Sequence, residues 1–179
     1  RNSRAVYVLN FYYTSLITNE EIPIKIEINF LENIMHKCIV SRINTIIDMD
    51  TFLKSIGYDL ENITMNTYPL EEIILEKYRA ILTREAVKER DILDLYLIYQ
   101  RDNNVFKVDT NSILTKIQSG VLIAPGLKKN LERNCQLFKN KSFVESNDDI
   151  SRFTLVKVDS TQYDKFKSLL HEKLKAICS

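Results

Sequence analysis

The chain has 179 residues, 45% hydrophobic and 27% charged, with 25 Lys and Arg against 24 Asp and Glu; the composition is that of a globular protein, and a net charge of +1 excludes a global basic field for nucleic acid. No apolar run approaches the ~18 residues of a membrane span and no signal-peptide pattern is present, so neither a span nor secretion is expected. Cys38, Cys135 and Cys178 are widely spaced, include no CxxC pair and gain no metal-ligand motif from His36 and His171, which together point to a reducing, cytoplasmic compartment and no zinc site.

Residues 6 to 17, rich in β-branched and aromatic types, and 22 to 30, where Ile22, Ile24, Ile26, Ile28 and Phe30 alternate with polar positions, read as the two strands of a β-hairpin around the polar turn 18 to 21. If that four-residue turn sets the register, Glu27 lies opposite Tyr12, with Asn10 and Thr14 on the same polar face. Residues 38 to 47 suggest a further strand. Asp50 or Thr51 then caps a short helix over Phe52 to Ile56, which Gly57 ends. Residues 63 to 69 form a short strand whose Pro69 opens a helix with Glu71 and Glu72 near its positive end. After a second helix the polar run 101 to 104 marks a boundary between an α/β part, 1–102, and a helical part, 103–179. There, Asp109 or Thr110 caps a helix with Ile113, Leu114 and Ile117 inward, stopping near Gly120. Pro125 opens a helix with Leu127, Leu131, Cys135 and Phe138 on one stripe. Residues 153 to 158 suggest a lone strand, and Ser160 caps a last helix with Tyr163, Phe166, Leu170 and Leu174 inward. The lysines and arginines between Lys128 and Lys141 read as a solvated helix face.

The stretch 70 to 98 stands apart, because its two apolar helical patterns carry charges where a packed interior is expected, and buried charge is costly. Leu70, Ile73, Ile74, Tyr78, Ile81 and Leu82 recur at helical spacing, while Lys77 and Arg84, two turns apart, project from nearly the same side. In the second pattern Asp91 and Asp94 sit one turn apart within Ile92, Leu93, Leu95, Leu97 and Ile98. Two cations and two carboxylates therefore fall within mutual reach. They make either an interhelical salt-bridge network or the polar wall of an active site.

The same residues resemble two motifs of the AbiEii-type nucleotidyltransferase toxins of abortive-infection and toxin–antitoxin systems: Glu72, Lys77 and Arg84 match a glutamate-led helix with a Lys and then an Arg, and Arg90, Asp91 and Asp94 match an Arg-Asp followed by a second Asp. The resemblance covers about residues 6 to 100. It implies an α+β fold, part of a nucleotidyltransferase-like mixed sheet followed by a helical C-terminal region. It also implies a metal-dependent transfer of a nucleoside monophosphate from an NTP to RNA, tRNA among the candidates, or to a protein acceptor, with an antitoxin as partner. On this pattern Lys77, Asp91 and Glu27 are catalytic, Lys77 and Arg84 bind nucleotide, and Glu27 associates with Mg²⁺, a hard cation suited to carboxylates and triphosphate. Arg84 touches nucleotide or braces the carboxylates; Asp94, Arg90 and Glu72 support them, Arg90 by pairing and Glu72 by capping its helix or orienting Lys77. The family's Gly-Ser turn and paired acids are absent from the chain, which begins at Arg1 rather than Met. They are expected upstream of Arg1 in a longer natural protein; without them the chain would be an inactive module that binds nucleotide, RNA or a partner protein.

Overall fold

The computed structural model describes residues 6–29, 33–42, 55, 57, 63–140, 154 and 158–179. Strands β1 (Val6–Thr14) and β2 (Glu21–Asn29) form an antiparallel hairpin, and β3 (Ile39–Arg42) pairs antiparallel with β4 (Thr64–Thr67). Five α-helices follow among the described residues: α1 (Leu70–Thr83), α2 (Glu89–Arg101), α3 (Thr110–Ile123), α4 (Leu127–Asn140) and α5 (Ser160–Ile177), with a 3-10 turn at Asn103–Phe106. The fold is α+β with a helical C-terminal region, and the described strands make two separate antiparallel pairs. Ser55 is helical and Gly57 has φ +86, a left-handed conformation open to glycine; the rest of the helix expected over 52 to 56 lies outside the described residues, as does most of the strand expected at 153 to 158.

The hairpin register departs from expectation. Val8, not Tyr12, stands opposite Glu27, and Tyr12 faces Pro23. The turn is centred between Ile17 and Thr18 rather than between Asn19 and Glu20: the connection runs over 15–20, and moving its centre back by two residues shifts the pairing by four. Ser15 Oγ accepts from the backbone N–H of Ile17 and Thr18, the Asn19 N–H donates to the Ser15 carbonyl at 2.8 Å, and Asn19 adopts φ 56. Asparagine tolerates that left-handed geometry better than most residues. A shift of four residues preserves side-chain parity, so the polar and apolar faces stay as expected.

The buried core lies in the helices. From Ile74 to Ile177 it includes Leu75, Tyr78, Leu82, Leu95, Tyr96 and Phe166, all 0–1% exposed. Helix α1 is central and packs on α2, α3 and α4, while α5 covers α2 and α4. Val105, in the turn after α2, is fully buried in this core, which therefore runs through the polar segment 101–104 without a break. Tyr96 meets Tyr163 edge-on at 5.0 Å, joining α2 to α5.

Helix ends follow local chemistry. Asp109 caps α3 by accepting from the Ser112 N–H, as the sequence suggests, but α3 continues past Gly120 to Ile123 because Val121 still meets the core. Asp159, one residue before the expected cap, accepts from the N–H groups of Thr161 and Gln162, placing Ser160 inside α5. Cys135 of α4 and Cys178 after α5 form a disulfide with Cα atoms 5.2 Å apart, leaving Cys38 free. Their separation of 43 residues carries no pairing signal. Such bonds persist in oxidising surroundings and are rare in reducing ones, so this pair bears on the expected compartment. No helix among the described residues is long and apolar enough to cross a membrane.

Candidate functional site

Two faces of α1 carry charge toward two different neighbours. Lys77 and Arg84, seven residues apart, project toward α2. There, Asp91 lies in the first turn and Asp94 one turn later. Lys77 Nζ donates to Asp91 Oδ1 at 3.4 Å and to Asp94 Oδ2, while Arg84 Nη1 stands 2.9 Å from Asp91 Oδ2 as an ion pair without an aligned hydrogen bond. The Asp91 side chain is 1% exposed, against 25% for Lys77, 38% for Arg84 and 43% for Asp94. A buried carboxylate thus has two part-exposed cations above it. The desolvation of Asp91, a cost of several kcal/mol, is offset by those cations and by the positive end of α2.

The sequence-selected residues Lys77, Arg84, Asp91 and Asp94 therefore meet in one cluster. Glu27 does not join them among the described contacts: it is exposed on β2 and pairs with Lys25, whose hydrogen bond and charge lower its pKa. Arg90 is exposed in the first turn of α2, and its charge lowers Glu27 further. Asp91 has both oxygens turned to cations, and no group of three or more His, Cys, Asp or Glu among the described residues is placed to hold a metal ion. The residues of this cluster do not fit a Mg²⁺ site, because a third positive charge would have to displace Lys77 or Arg84.

Glu72 faces the other way. It makes no capping bond to its own helix; its Oε2 accepts from the backbone N–H of Met35 and His36 and from the His36 ring, and its Oε1 takes Lys116 Nζ at 2.6 Å. A carboxylate can only accept here, so His36 Nδ1 carries the proton. Lys116, 2% exposed on α3, also contacts Glu76 and donates to the Asn33 carbonyl. Burial alone would lower the Lys116 pKa, but its bonds to Glu72 and Glu76 raise it overall; burial likewise opposes ionised Glu72, and Lys116 and His36 outweigh it to lower that pKa. Expectations centred on Lys77 and helix capping did not include this lysine. Its one sequence signal is position: Lys116 shares the inward stripe of α3 with Ile113 and Ile117.

A third polar group closes the end of α1. Asn134 of α4, 1% exposed, donates Nδ2 to the carbonyls of Ile81, Leu82 and Arg84, Asn130 donates to Thr83, and Arg133 to Arg84 and Glu85.

A family model described as Nucleotidyl transferase AbiEii toxin, Type IV TA system, matches residues 3–176. No curated protein and no solved structure gives a significant match.

Proposed function

The chain belongs to the AbiEii nucleotidyltransferase toxin family of toxin–antitoxin systems, and from that premise we propose that Lys77, Arg84, Asp91 and Asp94 form the phosphate-binding side of its nucleotide site. The observation that carries the reading is the asymmetry of the cluster, a buried Asp91 beneath two cations that remain partly exposed. Cations held this way are preorganised for triphosphate oxygens without first having to be gathered from solvent. Lys77 supplies a mobile ammonium, and Arg84 a planar guanidinium able to engage two oxygens at once. Asp91 acts from below by keeping both in place, and Asp94 holds Lys77 from the solvent side.

In the proposed transfer an acceptor hydroxyl attacks the α-phosphorus of an NTP and releases its proton to solvent, the bond to the β-phosphate oxygen breaks, and pyrophosphate leaves. Lys77 stabilises the charge that develops on the departing phosphates, and Arg84 binds the triphosphate to the same extent before and during transfer. RNA, including tRNA, or a protein supplies the hydroxyl, and an antitoxin is the cognate partner, in keeping with the family's toxin–antitoxin setting. Glu27 enters as a metal-associated carboxylate on chain order alone, upstream of both helices. The same cluster also suits a module that binds nucleotide, RNA or a partner protein without transferring anything.

The test gives full-length protein radiolabelled NTP with Mg²⁺ and candidate acceptors. Wild type labels an acceptor, and Lys77→Ala or Asp91→Ala cuts labelling by about 100-fold or more, the scale for losing a preorganised charge-stabilising group. Labelling unchanged in both variants would overturn these roles, while nucleotide binding without labelling by wild type selects the binding module.

A further inference from the structure

The carboxyl end of α1 is closed by another helix, and the residue it fixes is one of the two cations of the cluster. A helix leaves its last four carbonyls without internal partners. Here the Arg84 N–H reaches the Ala80 carbonyl at 3.0 Å, but Ile81, Leu82 and Thr83 are served from α4, the first two by Asn134 at 3.2 and 3.1 Å and the third by Asn130 at 3.0 Å. The clamp then extends beyond the helix. Asn134 Nδ2 donates to the Arg84 carbonyl at 2.9 Å, and Arg133 Nη2 donates to the same oxygen at 3.1 Å and to Glu85. Asn134 Oδ1 accepts in turn from the Arg133 guanidinium at 3.3 Å, so both ends of the buried amide are used.

Simple stabilisation of α1 would need only the helical carbonyls. The bonds to residues 84 and 85 act where the chain has already left the helix: Arg84 is extended, with φ −72 and ψ 153, and from that backbone its side chain reaches Asp91 at 2.9 Å. We infer that Asn134, with Arg133 as its outer partner, is a positioning residue that fixes the Arg84 backbone and so aims its guanidinium over Asp91. Its consequence for nucleotide handling rests on the function proposed above; its effect on Arg84 does not.

The experiment uses full-length protein labelled with ¹⁵N-arginine, the Arg84 Nε–H resonance being identified by its loss in Arg84→Lys. Asp91→Asn provides the position of that resonance with the ion pair weakened. Asn134→Ala is expected to move it toward the Asp91→Asn position and to raise KM for NTP about tenfold while kcat stays within about threefold, the signature of lost binding. A resonance unmoved in folded Asn134→Ala overturns the inference, while a resonance that moves with a fall in kcat and KM unchanged supports the positioning and overturns only the binding role of Arg84. Should Asn134→Ala not fold, Arg133→Met removes the outer bonds from an exposed position; a smaller shift in the same direction supports the inference and no shift overturns it. A resonance that moves in Asn134→Ala while Arg84→Lys leaves KM unchanged supports the positioning of Arg84 and overturns only its role toward nucleotide.

Discussion

Lys116 illustrates how far a single residue can shape what surrounds it. Its ammonium is enclosed by Glu72, Glu76 and the Asn33 carbonyl, and Glu72 in turn holds the backbone at Met35 and His36. Lys116→Met leaves Glu72 as a buried carboxylate without its cation and should destabilise the fold by about 3–5 kcal/mol, read from urea unfolding. Adding Glu72→Leu should recover part of that loss, less the bonds to residues 35 and 36; no recovery would show that the two charges do not act as a pair. The pH dependence has a definite sign. Because the folded-state pKa of Glu72 is lowered, its contribution is whole above the ordinary glutamate range, about pH 4, and falls away as pH drops through the folded value. Unfolding of Glu72→Gln should be less sensitive to acid than that of wild type over this interval. Legibility at this scale follows sequence distance. Lys77, Arg84, Asp91 and Asp94 lie on consecutive helices, so helical spacing alone brings them together, whereas Glu72 and Lys116 are 44 residues apart and meet only because α3 folds back on α1.

Elements were legible where periodicity was long and their ends where a cap was local. Tyr163, Phe166, Leu170 and Leu174 are all buried along α5, as their spacing requires. The boundary is one residue off because Asp159 and Ser160 are both competent caps and sequence does not choose between them. The structure chooses Asp159. Asp159→Ala should therefore cost about 1 kcal/mol in a thermal melt, the ordinary value of an N-cap, while Ser160→Ala stays within about 0.5 kcal/mol of wild type. The reverse order would restore the cap to Ser160. The hairpin register was misread for a related reason: Ser15, whose Oγ accepts from the N–H groups of Ile17 and Thr18, starts the turn three residues before the polar run 18–21, and composition does not reveal where the turn is centred.

At the scale of the whole molecule, the helices bury the described core and the hairpin remains largely outside it. On one face of β1 and β2, Leu9 stands opposite Ile26 and Phe11 opposite Ile24, with all four residues at least 44% exposed. A lone two-stranded ribbon is marginal in water, and a contiguous apolar face is unusual on a soluble surface. Phe11→Thr with Ile24→Thr should lower dye binding and aggregation while changing stability by only about 0.5 kcal/mol, against about 2–5 kcal/mol for Leu75→Ala in the core. A loss on the core scale in the hairpin variant would show that this face is covered in solution. The alternation that predicts these faces was plain in the sequence, but no pattern within a strand says whether its apolar side is occupied. The disulfide has a different consequence. A chain cut once anywhere between Cys135 and Cys178 remains one covalent molecule, and its two pieces part only when the bond is reduced.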